Sequence, residues 1–192
     1  HPHGNKRVSI VHNGIIENYK QIKDFLIEEG YSFVSETDTE TVAKLLDYYY
    51  VDDPVDTIIK VLSEIKGSYA LGIMFRDYPG EIWVARKDSP MIIGIADGET
   101  YVASDVPAIL KYTRNVYYIG NLEFAKLTPG EAHFYDLNGD EIEKQTTEIK
   151  WDAEAAEKGG FEHFMMKEIH EQPAAVRDTL SPRLKDGRID LS

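Results

Sequence analysis

Two short blocks carry side chains whose types and spacing suit acyl-transfer chemistry. In His12-Asn13-Gly14 a carboxamide stands beside a glycine whose backbone N–H is unscreened by any side chain. Two neutral donors aimed at one point stabilise a developing oxyanion, each worth roughly 3 kcal/mol when held in place beforehand. The same dipeptide is also a turn signal, because both residues tolerate positive φ, and a turn is expected here after a short strand from Arg7 to His12. In Ser35-Glu36-Thr37-Asp38-Thr39-Glu40, Asp38 could hold the α-ammonium of an amino-acid substrate through a charge-assisted hydrogen bond. It could equally be an acid at a helix start, favourable to the helix dipole and to free N–H groups. Residue types and spacing leave both pairs of readings open.

Other chemistries find little support. The 192 residues include no cysteine, which removes thiol nucleophiles and thiolate ligands. The six histidines include His1 and His3, but there is no His-Glu-x-x-His block and no carboxylate at ligand spacing, so no metal is expected. Ser89-Pro90 and Ser104-Asp105 offer hydroxyls without a nucleophile elbow, and glycine-rich phosphate motifs are absent. His163 and His170 read as ordinary polar residues of a downstream helix. The formal charge of −13 disfavours nucleic acid and anionic lipid as partners. An anionic sugar phosphate would need a local basic site, and none is evident. No apolar run approaches the roughly 20 residues of a membrane span, and nothing resembles a signal peptide, so a cytoplasmic location is expected. The chain opens at His1-Pro2-His3-Gly4 without Met, and residue 1 need not be the biological N-terminus.

The elements that must position these blocks are legible from periodicity. Tyr19, Ile22, Phe25 and Leu26 share one helical face between Asn18, a candidate cap, and Gly30, a stop. Tyr31 to Val34 is strand-like. Thr37 and Glu40 have capping-box spacing ahead of a second helix starting near Asp38, and Asp53-Pro54 opens a third on Val55, Ile58, Ile59, Leu62 and Ile65. After Gly67 come β runs at Ser68–Phe75, Glu81–Arg86, Met91–Ile95, Thr100–Ala103, Val116–Ile119, Glu123–Leu127 and Ala132–Leu137, separated by turn signals too short for parallel crossovers. The unbroken apolar run Tyr69–Phe75 predicts a strand covered on both faces. Together these predict a layered α+β architecture. Residues 151–160, small, charged and ending in Gly159-Gly160, read as a linker. Beyond them a helical pattern with Met165 and Ile169, broken at Gln172-Pro173, is too short to make its own core.

The strings His12-Asn-Gly-Ile-Ile-Glu-Asn-Tyr19 and Ser35-Glu-Thr-Asp-Thr-Glu40, with Asp88-Ser89-Pro90 and Ala103-Ser104-Asp105, resemble the class II glutamine amidotransferases, the N-terminal-nucleophile group. The block Lys167-Glu-Ile-His-Glu-Gln-Pro173 is similar to the members that pass ammonia to fructose 6-phosphate. The resemblance spans essentially the whole chain. It implies a four-layer α/β/β/α sandwich truncated at the front, with no metal or organic cofactor. Residues 1–150 would be a glutaminase domain and 161–192 the start of a sugar-isomerase domain. It further implies Asn13 and the Gly14 N–H as oxyanion donors, Asp38 as the ammonium-binding carboxylate, and His1 as a gating residue near the passage between two active sites. The family's nucleophile, a first-residue Cys, and the segment after it would lie upstream of His1, and the sugar-phosphate site would lie beyond residue 192. This chain is therefore expected to be inactive by itself, and the full-length enzyme to be a homodimer. Two other readings remain: a glutaminase serving another acceptor, and a binding module that keeps the shape without the chemistry.

Overall fold

The computed structural model describes residues 1–150, 159–185 and 188–189. The chain divides into two compact units, His1–Ile149 and Lys150–Ser192.

In the larger unit, helices α1 (Tyr19–Glu28), α2 (Asp38–Tyr49) and α3 (Pro54–Glu64) start where local chemistry satisfies free N–H groups. The Glu40 N–H donates to Thr37 Oγ1 at 3.3 Å. The Val55 N–H donates to Asp53 at 2.8 Å, with Pro54 at the first helical position. Asn18 departs from expectation. It stands at the start of α1, but its carboxamide donates to the Glu64 carbonyl and accepts from the Lys66 N–H, tying α1 to the end of α3 instead of capping it. The expected strand at Tyr31–Val34 is also absent. The Glu40 carboxylate accepts from the N–H groups of Val34 and Ser35, the groups a strand partner would use.

Strands β1 (His3–Gly4), β2 (Val8–Ile16), β3 (Gly67–Phe75), β4 (Ile82–Lys87), β8 (Glu123–Thr128), β9 (Glu131–Tyr135) and β10 (Glu141–Ile142) form one sheet, adjacent in that order. A second sheet runs β11 (Thr147–Glu148), β7 (Asn115–Tyr118), β5 (Ile92–Ala96), β6 (Glu99–Ala103). Every pairing between these strands is antiparallel, as the short connections require.

Three apolar clusters show how the layers stack. The largest joins Leu26, Leu45, Leu46, Ile58 and Leu62 of the helices to Ile10, Tyr69, Leu71 and Phe124 of the first sheet. Alternate residues of that sheet, Ala70, Val84, Ala125 and Phe134, turn the other way onto Met91, Ile93 and Ile119. A third cluster packs Ile92 and Val116 of the second sheet under Ile109 and Leu110, which lie in consecutive tight turns. The order is helices, sheet, sheet and a turn-built outer layer. This is an α+β sandwich, and the doubly covered part of β3 is Tyr69–Leu71.

The turn expected at Asn13-Gly14 does not occur. β2 runs on to Ile16, with Asn13 opposite Ala70 and Gly14 opposite Tyr69, and the chain reverses only at Glu17-Asn18. Gly14 has φ +128°, and a Cβ there would lie 2.1 Å from the Ser68 carbonyl oxygen. Glycine permits a close strand approach at this point, not a reversal.

Arg7 locks the front of β2 to the far end of α2. Its Nε donates to Asp47 Oδ1 at 2.7 Å, while Nη1 and Nη2 donate to the Tyr50 and Asp47 carbonyls at 3.0 and 2.7 Å. The Tyr31 hydroxyl adds a donor to the second Asp47 oxygen.

The smaller unit holds α4 (Phe164–Leu180), a 3₁₀ turn at Ser181–Arg183 and the antiparallel pair β12 (Leu184–Lys185) and β13 (Arg188–Ile189). The break expected at Gln172-Pro173 is not there, and the helix passes through Pro173. No residue of α4 is buried, so water can satisfy the carbonyl that proline leaves without a donor. Residues 151–158 of the expected linker lie outside the described residues. Among the described residues no helix is long and apolar enough to cross a membrane.

Gly14→Ala is expected to lower stability by roughly 3 kcal/mol or more, since it combines a left-handed φ with a backbone collision. Gly30→Ala, also at positive φ but with no atom within 4 Å of the new Cβ, should cost only about 1 kcal/mol. Urea denaturation of both variants checks the contrast, and equal losses would refute the role given to the Ser68 carbonyl.

Candidate functional site

The pleat of β2 sorts its side chains. Val8, Ile10 and His12 turn toward the helices, and Val11, Asn13 and Ile15 turn to the opposite face. β1 pairs only with Ser9 and Ile10, so beyond Ile10 the outer edge of β2 has no strand partner among the described residues. The Glu17 N–H bonds the Lys66 carbonyl on the β3 side. Ladder alternation therefore directs the N–H groups of Gly14 and Ile16 to the outer edge.

Asp38 meets that edge. Its Oδ2 accepts from the Ile16 N–H at 2.9 Å, so the first residue of α2 is clipped to β2. Gly14 lies two residues, about 7 Å of strand, from this clip. Asp38 does occupy the first turn of α2, as one of its two readings had it, but its hydrogen bond goes to the strand and not to its own helix.

Beside Asp38 lies a polar cluster that spacing alone did not single out. His12 Nδ1 is 3.1 Å from Thr39 Oγ1 and 3.9 Å from Asp38 Oδ1, and His1 Nε2 is 3.2 Å from the same Thr39 oxygen. His12 is 5% exposed, and its Nε2 is buried with no partner among the described residues. Burial pushes the His12 pKa down, opposed by the Asp38 carboxylate, so the ring is neutral at pH 7. The signal was present in the sequence: His12 shares parity with Val8 and Ile10, the buried positions of β2.

On the other face of the sheet a cleft of about 790 Å³ opens between the two sheets. Asn13 and His1 line it beside Val11, Gly72, Val84 and Met91, and β6 forms the opposing wall. The Asn13 carboxamide has no hydrogen-bond partner among the described residues. The lining includes Glu99 but neither lysine nor arginine. The structure thus brings His1, His12, Asp38 and Thr39 into one cluster, while the Asn13 side chain faces the cleft, whose lining does not include Asp38. His1 and His12 belong to both. Among the described residues no group of three or more His, Cys, Asp or Glu side chains is placed to hold a metal ion.

The antiparallel two-sheet sandwich is shared with known proteins. Residues 2–111 match the family model of the glutamine amidotransferase domain, and the chain belongs to that family. Among curated relatives, it is 57% identical to the glutamine–fructose-6-phosphate aminotransferase (isomerizing) of Caldanaerobacter subterraneus subsp. tengcongensis, covering 100% of this chain and 32% of that protein. The protein of the same name from Clostridium acetobutylicum is 52% identical over 98% of this chain and 31% of its own length. The chain therefore spans about a third of these relatives. Among solved structures, the glutamine phosphoribosylpyrophosphate amidotransferase of B. subtilis aligns with TM-score 0.60 and 26% identity, over 73% of this chain and 31% of that one. A glutamine aminotransferase class-II domain protein from Silicibacter pomeroyi shares the fold at TM-score 0.54 and 16% identity, over 71% and 70% of the two chains.

Glu40 holds the segment leading into Asp38. Burial opposes its charge, but the Ser35 hydroxyl, the Val34 and Ser35 N–H groups and Lys44 outweigh that and set its pKa at about 2, against an ordinary 4.5. A depressed carboxylate pKa contributes stability above the unfolded value and loses it as pH falls from about 4.5 toward 2. Glu40→Gln should cost on the order of 2–3 kcal/mol at pH 7 and much less at pH 2.5, read by urea denaturation at both. A loss independent of pH would show that the charge is not what matters.

Proposed function

We propose that this chain is the glutamine-hydrolysing portion of an enzyme that transfers the glutamine amide nitrogen to fructose 6-phosphate, giving glucosamine 6-phosphate and glutamate. Residues 1–150 form the glutaminase domain, and residues 161–192 begin the sugar-isomerase domain. The observation that carries this reading is the open edge of β2. There, among the described residues, the Gly14 N–H has no ladder partner and the Asn13 carboxamide beside it is uncommitted, and Asp38 is fastened two residues along. Family membership and the relatives' names support the reaction class.

In this reading a thiol attacks the glutamine carboxamide carbon. The carbonyl oxygen becomes an oxyanion and takes hydrogen bonds from Asn13 Nδ2 and the Gly14 N–H. Ammonia leaves as the glutamyl thioester forms, and water then hydrolyses the thioester. Since the 192 residues contain no cysteine, the thiol is supplied by residues outside this sequence, and the chain alone is inert. Asp38 balances the charge of the substrate α-ammonium. His1, which lines the cleft and reaches Thr39, gates the way out for ammonia. Among the described residues no lysine or arginine lines the cleft to hold a phosphate, which fits an acceptor site built elsewhere in the parent. The parent works in the cytoplasm as a homodimer, as the resemblance of its motifs implies.

In the full-length parent, Asn13→Ala should lower glutaminase kcat by roughly 10²–10³ without loss of stability, because the side chain is exposed and unbonded. A normal kcat would remove Asn13 from the oxyanion site. Asp38→Asn keeps an oxygen for the Ile16 N–H and removes only the charge. It should raise KM for glutamine far more than for the sugar, and equal effects on the two would end the ammonium-binding role.

A further inference from the structure

Thr39 Oγ1 is shared by two imidazoles, His1 Nε2 at 3.2 Å and His12 Nδ1 at 3.1 Å, and Thr39 itself is 3% exposed. A hydroxyl carries one proton, so at most one of the two nitrogens accepts from Thr39 and the other donates to it. If both rings donated, the Thr39 proton would need a further acceptor, and among the described residues none is found. Two arrangements remain. In one, His12 Nδ1–H donates to Thr39 and the Thr39 hydroxyl donates to His1. In the other, His1 Nε2–H donates to Thr39 and the hydroxyl donates to His12 Nδ1, which places the single His12 proton on Nε2.

With His1 neutral the first arrangement is favoured. Asp38 Oδ1, 3.9 Å from His12 Nδ1, attracts a proton there, and an Nε2–H would be a buried donor without a partner. With His1 protonated the second is enforced, because an imidazolium Nε2 can only donate. The other titratable group at this cluster is His3, edge-on to His1 at 5.9 Å between ring centroids. β3 places only Leu71 opposite His12.

We propose that Thr39 is a positioning residue that couples His1, on the cleft, to the buried His12 next to Asn13, so that protonation of His1 reverses the hydrogen-bond direction and moves the His12 proton from Nδ1 to Nε2. His1 gains one proton from solvent, and His12 exchanges its one proton between nitrogens and stays neutral. This goes beyond the glutaminase reading and does not require it.

The test is imidazole ¹⁵N NMR of this 192-residue chain, titrated through the ionisation of His1, in the wild type, Thr39→Val and Thr39→Ser. In the wild type, His12 Nε2 should pass from the bare to the protonated resonance position with the same midpoint as His1. Thr39→Val should abolish that step while His1 still titrates, and Thr39→Ser should keep it. A His12 Nε2 that does not respond to His1 in the wild type overturns the proposal, as does a step that survives in Thr39→Val. Should Thr39→Val not fold, the wild type and Thr39→Ser decide, because packing alone gives no reason for a tautomer change at the His1 midpoint. No glutamine turnover is read, so failure here leaves the proposed function standing and failure of that function leaves this coupling testable.

Discussion

The geometry of the site depends on how closely β2 and β3 pass at Gly14. Because no Cβ stands between Gly14 and the Ser68 carbonyl, the two strands stay in register through nine paired positions, from Val8–Phe75 to Ile16–Gly67. That register brings the Ile16 N–H to the Asp38 carboxylate and leaves the Gly14 N–H on the same free edge. A turn at this dipeptide would have ended the strand four residues early and removed the Ile16 N–H from Asp38's reach.

The sheet then separates two environments by side-chain parity. Even positions of β2 enter the helix-covered core, where His12 is desolvated and meets Thr39. Odd positions face the inter-sheet cleft, where Asn13 is free to bond a ligand. His1 meets both sides, lining the cleft and placing Nε2 on Thr39, and His12 is likewise among the residues that line the cleft. Backbone donors on a strand edge and a carboxamide on one face are rigidly placed because the opposite face is packed solid.

Much of this was legible in the residues themselves. Helix starts at Thr37 and Asp53 could be read because their capping chemistry is local, completed within three residues. The antiparallel strands could be read from run length and turn spacing. What failed was decided at a distance. Asn-Gly reads as a turn until a strand from another part of the chain passes within 2.1 Å of where a Cβ would sit. Asn18 reads as a cap until Glu64 and Lys66 take its carboxamide, and Tyr31–Val34 reads as a strand until Glu40 takes its N–H groups. For the site, the names Asn13, Gly14, Asp38 and His1 came from motif resemblance, and the structure adds where each lies. Thr39 was hidden because a threonine in the first turn of a helix is unexceptional, and only the fold brings His1 and His12 to its hydroxyl.

The Arg7 fork has a consequence for how this domain can diverge. Its three nitrogens serve one carboxylate and two carbonyls at fixed angles, and a lysine, with a single ammonium on a flexible stem, cannot occupy all three positions together. The unserved carbonyls at the end of α2 would then need new donors, and the grip between that helix and the strand bearing Asn13 would slacken. Position 7 should therefore tolerate lysine less well than its partial exposure on the surface suggests, although it lies six residues along the chain from Asn13.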